Sequence, residues 1–286
     1  MRTEEGISVN RTEELEIKAL EIRKMLLNMV FEGKTGHTGG SLSSTDILVT
    51  LFYEIMRHDP KNPKWEDRDR FLLSKGHSVE GYYSVLADCG YFPAEELKTF
   101  SKFKSRLIGH PNTKVPGVEM NTGSLGHGLP VGVGMALGAK KQKKDIRVYV
   151  LMGDGELAEG SVWEAAMAGA NYGLDNLIGI VDRNRLQISG DTEKVMALES
   201  LSEKWSAFGW EVSAAEGNDI QSLSDALRAA QKPSGRPHLI IARTTKGKGV
   251  SFMENAAKWH HGVPSEEQLD IALSELDRRI GELKKQ

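Results

Sequence analysis

Apolar runs and amphipathic stretches alternate along the C-terminal half of the chain. Short apolar runs predict four β-strands, which are Arg147–Met152, Leu177–Asp182, Trp210–Ser213 and His238–Thr244. Stretches with helical spacing separate them and predict helices at Ala158–Tyr172, Leu198–Phe208 and Ile220–Gln231. Strands that alternate with helices predict an α/β fold, in which a parallel sheet is covered by helices on both faces.

The N-terminal half is predicted to be mainly helical, with loops between the helices. The pattern predicts helices over Thr12–Phe31, Ser44–Arg57, His77–Gly90 and Leu129–Lys140. Apolar residues cover much of the circumference of the first helix, more than one core-facing stripe requires. Deep burial within the chain and contact with another chain both fit this pattern.

No linker or charge block divides the chain, which favours one domain over residues 1–286. A last helix is predicted at Ser265–Lys284, directly after Pro264, and its many charges indicate a surface or docking role. A chain of this length can bury a sizeable core.

Composition excludes several classes of function. The net charge is −3 and no basic stripe is present, which argues against nucleic acid as a partner. No apolar signal core and no 18-residue apolar run occur, which argues against a membrane protein. Cys89 is the only cysteine, so no internal disulfide can form, and we expect a protein of the reducing cytoplasm.

Polar residues follow two of the predicted strands. Asp154 lies in Gly153-Asp154-Gly155 after the first strand, and Asn184 follows the second strand thirty residues later. The carboxyl ends of neighbouring parallel strands meet at one edge of the sheet, so both side chains are expected to face one crevice. The carboxylate, the amide oxygen and the Leu186 carbonyl would suit Mg²⁺.

The same crevice suits a diphosphate. Gly153 and Gly155 let backbone N–H groups approach an anion closely, and a helix starting near Leu157 would direct its free N–H groups towards it. A plain Gly-Asp-Gly turn is the simplest alternative. A Rossmann nucleotide site is a weaker alternative, because the next glycine is Gly160 and the spacing does not match.

These residues resemble the thiamine-diphosphate motif, in which Asn follows GDG by about thirty residues. The flanking residues resemble transketolase more than the decarboxylases of that group, and the resemblance runs from about Glu14 to Pro264. Four histidine sites resemble the transketolase active-site set, namely Thr35-Gly36-His37-Thr38-Gly39-Gly40, Leu73-Ser74-Lys75-Gly76-His77, Ile108-Gly109-His110-Pro111 and Trp259-His260-His261-Gly262-Val263-Pro264. A loop at residues 121–128 is similar to the TTGPLGQG loop of the family.

The resemblance implies a role for each matching residue. His37, His110 and His261 would contact the sugar, and His77 and His261 would lie near the cofactor. Imidazole is suited to this work, since it exchanges protons near neutral pH. The implied cofactor contacts are His77, Gly123, Ser124, Leu125, Asp154, Gly155, Asn184 and His261, and the implied metal ligands are Asp154, Asn184 and Leu186.

Three positions add to this picture or depart from it. Glu159 matches a family glutamate at the subunit interface, which links to the carboxylate that activates the cofactor, and it is assigned to the catalytic set. His127 replaces the loop glutamine, where it either adds a titratable group or fills the space of the glutamine. His260 is the alternative to His261 if the register differs by one residue.

The resemblance covers only the diphosphate-binding domain of the family. Full transketolases are about twice as long, and their second domain binds the aminopyrimidine and carries most of the residues that grip the sugar phosphate. The resemblance therefore implies the N-terminal subunit of a split transketolase. A separate C-terminal, pyrimidine-binding subunit would complete each site, and an α2β2 assembly is expected.

The expected activity is transfer of a two-carbon ketol unit from a ketose phosphate to an aldose phosphate. It would use thiamine diphosphate and Mg²⁺, with Ca²⁺ or Mn²⁺ as substitutes. Another split thiamine-diphosphate enzyme, related to 1-deoxyxylulose-5-phosphate synthase or a 2-oxo-acid dehydrogenase, is one alternative. A non-catalytic cofactor-binding module is another. The sequence leaves open which sugars react, in the pentose phosphate pathway or in a specialised route.

Overall fold

A computed structural model describes residues 11–285 of the chain, so the ends of the predicted domain at residues 1–10 and 286 lie outside the described part. Its main sheet consists of five parallel strands in the order β1-β2-β3-β7-β6. These strands are β1 Arg70–Leu73, β2 Val148–Gly153, β3 Leu177–Arg183, β6 Glu211–Glu216 and β7 His238–Arg243. A short antiparallel pair, β4 Leu186–Gln187 and β5 Gly190–Asp191, follows β3. The predicted α/β class with a parallel sheet is therefore confirmed.

Helices cover both faces of this sheet. They are α1 Arg11–Gly33, α2 Thr38–Thr50, α3 Val79–Cys89, α4 Gly128–Lys141, α5 Gly160–Asn171, α6 Thr192–Val195, α7 Leu201–Ala207, α8 Ile220–Ala230 and α9 Glu266–Leu283. None of the helices in residues 11–285 is long and apolar enough to span a membrane.

Alternate residues of the central strands enter opposite cores. Tyr149 and Leu151 of β2 join the core that also contains α2, α3 and α8, whereas Val148, Val150 and Met152 join the core with α4, α5 and α7. This is the two-residue period of a strand whose faces are both covered. All seven residues of β3 are buried, so β3 lies at the centre of the molecule.

The apolar surface of α1 is buried by other parts of the same chain, which accounts for its width without contact with another chain. Ile22 and Met29 pack in the same core as α2 and α3, whereas Leu20 and Leu26 pack in a third cluster with α9. The helix is therefore enclosed from two sides by its own chain.

Several helices begin away from their predicted first residue, and two of these shifts bear on the cleft. The second helix begins at Thr38 rather than Ser44, although two consecutive glycines lower helix propensity there. Those glycines allow close packing, since a Cβ at Gly40 would lie 2.6 Å from the Ser78 Oγ. The helix after Asp154 begins at Gly160 rather than near Leu157, and a 3₁₀ turn over Gly155–Ala158 precedes it.

Candidate active site

One cleft lies at the carboxyl ends of the central strands, at the position expected for the crevice. Gly153, the last residue of β2, stands level with Asp182 of β3. Asp154, Asn184 and Leu186 all line a cavity of about 270 Å³ at this edge. The two strand ends therefore converge on a shared space.

Asp154 is held rigidly at the floor of the cleft. Its Oδ1 accepts a hydrogen bond from the Gly155 N–H at 2.8 Å, and its Oδ2 accepts one from the Arg185 N–H at 2.6 Å. The Arg183 guanidinium also donates to Oδ2, at 3.1 Å. Burial raises the pKa of the Asp154 carboxyl, and the nearby Asp182 adds to the increase. The residue is 2 % exposed, so its orientation is fixed by these contacts.

Three residues that line the cleft carry oxygen atoms of different chemistry. Asp154 supplies a carboxylate, Asn184 a side-chain amide oxygen and Leu186 a backbone carbonyl. The Asn184 Oδ1 accepts a hydrogen bond from the Leu186 N–H at 3.1 Å, so these two residues form one compact turn. Oxygen donors of this kind fit a hard divalent cation.

Two buried lysines line the cleft. Lys246 donates from Nζ to the Leu186 carbonyl oxygen at 2.8 Å, while Lys75 forms a buried ion pair with Asp182 and donates to the Gly40 carbonyl at 3.0 Å. Burial, followed by repulsion from Lys75, lowers the pKa of Lys246 to about 8. Ammonium groups at this position fit the phosphate oxygens of a diphosphate.

Histidines form another part of the cleft wall, with His37 at their centre. Its ring centroid lies 5.2 Å from that of His77, 6.3 Å from that of His110 and 4.7 Å from that of His261. The structure thus brings together the four histidines that the sequence singled out, from four separate loops.

The imidazoles of the cleft are kept neutral. Burial is the main cause in each case, and it lowers the pKa of His37 to about 4, of His77 to about 2 and of His260 to about 3. Neighbouring histidines and lysines lower these values further. A wall of neutral imidazoles can donate and accept hydrogen bonds with a polyol while adding no fixed charge.

The pair His260 and His261 is arranged differently from the favoured expectation. His260 lines the cavity, stacks on His77 with ring centroids 5.2 Å apart, and places Nδ1 2.8 Å from the Lys246 Nζ. His261 is exposed and its Nε2 lies 3.3 Å from the Thr35 Oγ1. Of these two adjacent residues, His260 is therefore the one that enters the cleft, and it is the alternative that sequence reasoning left open.

The residues from 123 to 127 divide between the cleft and the surface. Gly123 and Leu125 line the cavity, whereas Ser124 is exposed and lies outside its lining. His127 is also exposed, with Nδ1 2.9 Å from the Leu125 carbonyl oxygen. Glu159 is exposed at the N-terminal end of α5 and lies outside the cavity lining.

Sequence reasoning missed several polar side chains that build the site. Lys75 and Lys246 each follow the end of a strand and stand beside a glycine, which is the available signal in the sequence. Glu80 is fully buried and accepts hydrogen bonds from the His37 N–H and the Ser41 Oγ, both at 2.7 Å. Glu156 is buried among the loops of the cleft, and no local pattern indicates either carboxylate.

Comparison with known families agrees with this geometry. The family model described as "Transketolase, thiamine diphosphate binding domain" matches residues 15–277. The chain belongs to the transketolase family. It is 51 % identical over 276 residues to a Phocaeicola vulgatus protein that is named as one subunit of an apulose-4-phosphate transketolase, covering 96 % of this chain and 98 % of that relative.

Other relatives of the family differ in their named substrate and in length. A 6-deoxy-6-sulfo-D-fructose transketolase subunit of a Clostridium species is 40 % identical over 266 residues, which cover 93 % of this chain and 97 % of that relative. A solved transketolase of Campylobacter jejuni superposes with a TM-score of 0.82 at 32 % identity, covering 96 % of this chain and 48 % of that one. The transketolase fold is therefore shown, and this chain spans about half of that solved enzyme.

Proposed function

We propose that this chain supplies the magnesium and diphosphate half of a transketolase active site, which transfers a two-carbon ketol unit between phosphorylated sugars. The observation that carries this proposal is the convergence of three oxygen donors, two lysines and a wall of neutral histidines in one cleft of a transketolase-family chain. When bound, thiamine diphosphate supplies the nucleophilic carbon and the electron sink for carbon–carbon cleavage.

The chain's own residues would bind and orient that cofactor. The Asp154 carboxylate, the Asn184 amide oxygen and the Leu186 carbonyl would hold Mg²⁺. The Gly155 N–H would exchange its present acceptor, the Asp154 Oδ1, for a phosphate oxygen. Lys246 would turn from the Leu186 carbonyl towards the diphosphate, because an ammonium group and a metal cation that shared one carbonyl oxygen would repel each other. Gly123 and Leu125 would contact the cofactor beyond its diphosphate.

The histidines would serve the sugar. Neutral imidazoles at His37, His110 and His260 can hydrogen-bond hydroxyl groups and carry protons to and from them. His77 is the most enclosed of the cavity-lining histidines and stacks on His260, so it would hold the cofactor side of the wall. His261 would stand at the rim, where a longer substrate could reach it.

A separate pyrimidine-binding subunit would complete the site, in an α2β2 assembly. Relatives at 51 % and 48 % identity over nearly their full length are named as subunits, which supports the existence of a partner. Large apolar side chains in the segment after β3 are exposed, including Ile188 at 72 % and Met196 at 61 %. Glu159 is exposed as well and follows the Gly-Asp-Gly turn closely in the chain, where the partner's carboxylate would meet it.

We infer that apulose 4-phosphate is the first donor to test. The two relatives named for it match over 98 % and 96 % of their length, with identities above that of the sulfofructose relative. The residues that would grip the anionic end of the sugar would lie on the partner, so 6-deoxy-6-sulfo-D-fructose and xylulose 5-phosphate are the comparison substrates.

The experiment is a donor assay with the chain and the product of an adjacent reading frame of pyrimidine-domain pattern. Each ketose phosphate is supplied with an aldose acceptor, thiamine diphosphate and Mg²⁺, and the product that has gained the two-carbon unit is measured. Turnover of a ketose phosphate that requires both subunits supports the proposal. Turnover of pyruvate alone, or full activity of the chain without a partner, would contradict it.

A further inference from the structure

Glu156 occupies an unusual position for a carboxylate. It lies in the 3₁₀ turn Gly155–Ala158, two residues after Asp154, and is 2 % exposed. Its Oε2 accepts a hydrogen bond from the Gly153 N–H at 3.0 Å, and its Oε1 accepts one from the Gly126 N–H at 2.8 Å. The Ser74 hydroxyl also donates to Oε1. One side chain therefore holds three segments that are far apart in sequence.

These three segments are the loops that surround the candidate cofactor site. Ser74 precedes His77 in the loop after β1, Gly126 follows Gly123 and Leu125, and Gly153 precedes Asp154. Each loop contributes at least one residue to the lining of the cleft. The Glu156 carboxylate is hydrogen-bonded to all three loops, so the distances between the loops depend on it.

Ser74 also links its own loop directly to the loop that contains Gly126 and Gly128. Its Oγ accepts a hydrogen bond from the Gly128 N–H at 3.1 Å while it donates to Glu156. A Cβ on Gly128 would lie 2.4 Å from the Ser74 Cβ, so the backbones are already in close contact. Gly126 has φ of +77°, a conformation that suits glycine and directs its N–H towards the carboxylate.

We propose that Glu156 is a positioning residue for the cofactor, because its buried carboxylate fixes the mutual placement of the loops that carry His77, Gly123 and Asp154. The proposal rests on the proposed function and adds a residue to it. Glu156 would act through backbone groups of the loops, and Asp154 would remain the charged ligand of the metal.

A carboxylate is the only common side chain of this size that meets the requirement. Its two oxygens accept from two backbone N–H groups and one hydroxyl at the same time. A glutamine has one accepting oxygen, so its amide group would face either the Gly126 or the Gly153 N–H. One buried backbone N–H would then lose its partner, which is unfavourable even though the shape of the side chain is retained.

The control is a carboxylate outside the cleft that also accepts a hydrogen bond from a serine hydroxyl but holds no cleft loop. Glu54 accepts hydrogen bonds from the Ser224 Oγ and the Arg228 guanidinium, both at 2.6 Å, where the segment after α2 packs on α8. The substitutions E156Q and E54Q both replace a hydroxyl-bonded carboxylate by an amide. A general loss of stability should therefore be seen in both variants. A change in the relative positions of the three cleft loops should be seen only in E156Q.

The first measurement is amide hydrogen exchange of the cofactor-free chain. In E156Q the amides of segments 74–77, 126–128 and 153–155 should exchange about tenfold faster or more, because the charge-assisted hydrogen bonds that tie these loops together are weakened or lost. In E54Q these segments should match the wild type. Unchanged exchange in E156Q would overturn the inference.

The second measurement is binding of thiamine diphosphate in the presence of Mg²⁺, to the chain assembled with its partner. E156Q should bind about ten- to a hundredfold more weakly, as is typical when a group supporting a metal site is lost, and E54Q should bind as the wild type does. Equal binding by E156Q and the wild type would overturn the inference. Absence of binding by the wild type would instead contradict the proposed function, and the exchange measurement would still decide the role of Glu156 in the loops.

A milder variant covers the case in which E156Q does not fold. S74A keeps the carboxylate with its two backbone partners and removes only the hydroxyl, so faster exchange should be confined to residues 74–77 and 126–128. If S74A changes no amide in these two loops, the proposed link between them is wrong.

Discussion

The Lys246 Nζ lies 2.8 Å from the Leu186 carbonyl oxygen and donates a hydrogen bond to it. Leu186 is one of the three residues that the family resemblance implied as metal ligands. The ammonium group therefore stands beside the position proposed for the cation, and it also contacts the His260 Nδ1 at 2.8 Å. The amine is placed to exchange its carbonyl partner for a phosphate oxygen when the cofactor binds.

Replacement of Lys246 by Met should change two affinities in opposite directions. Mg²⁺ alone should bind more tightly, because the variant lacks a positive charge beside the Leu186 carbonyl. Thiamine diphosphate with Mg²⁺ should bind roughly ten- to a hundredfold more weakly, because a charge-assisted contact to phosphate is lost. Calorimetric titration of both ligands tests this, and a loss of both affinities would contradict it.

The two adjacent histidines should differ in their importance. H260N should lower kcat by about a hundredfold, which is the usual effect of losing a proton-transfer group, because His260 lies inside the cleft. H261N should lower kcat by less than about tenfold and act mainly on KM, because His261 is exposed at the rim. Steady-state kinetics of the two variants decides between them, and the reverse order would support the register in which His261 is the catalytic residue.

The buried His77 should make stability depend on pH. Burial lowers its pKa from 6.5 to about 2 in the folded chain, so below pH 6.5 the unfolded chain binds a proton that the folded chain does not. Stability should fall as the pH falls from 6.5 towards 2, by about 1.4 kcal/mol per pH unit from this residue. Urea unfolding of wild type and H77Q should show a shallower slope in H77Q, and equal slopes would refute the assignment.

Glu80 should make the stability of the fold depend on pH in the opposite sense to His77. Burial raises its pKa from 4.5 to about 7, so between these values the folded chain binds a proton that the unfolded chain does not. This residue therefore contributes stability that is fully present below pH 4.5 and is lost as the pH rises through 7. In E80Q the same unfolding measurements should show stability rising more steeply with pH than in the wild type, and a shallower rise would contradict this sign.

The fold was predictable where patterns were long and local. Strands β2, β3, β6 and β7 were predicted to within a few residues, because apolar runs bounded by turns identify buried strands. The strand β1 was missed, since Arg70–Leu73 is only four residues long and follows a charged segment. The place of β7 between β3 and β6 was also not predicted, because it depends on how the chain crosses over the sheet.

The site was predictable where a motif marked it. Asp154 and Asn184 follow two neighbouring parallel strands at one edge of the sheet, so their place in one cleft follows from the fold and the spacing. The partner of Lys75 is Asp182, which is 107 residues away, and Glu156 joins loops 30 and 82 residues away. Contacts of this range leave no local pattern, and only the folded chain shows them.

The placement of His260 illustrates the same limit. Two adjacent histidines offer the sequence two equivalent choices, and their order in the cleft depends on the turn Ala257–Trp259 that precedes them. That turn directs His260 towards Lys246 and leaves His261 beside Thr35. The resemblance favoured His261, and the packing of the turn favours its neighbour.

The most direct test of the central claim is a calorimetric titration of the assembled protein with thiamine diphosphate, with Mg²⁺ and with the metal removed by chelation. Wild type and D154N are compared, since Asp154 is the one charged ligand proposed for the cation. The account predicts binding that requires Mg²⁺ and is lost in D154N. Binding that is indifferent to both the metal and the substitution would contradict it.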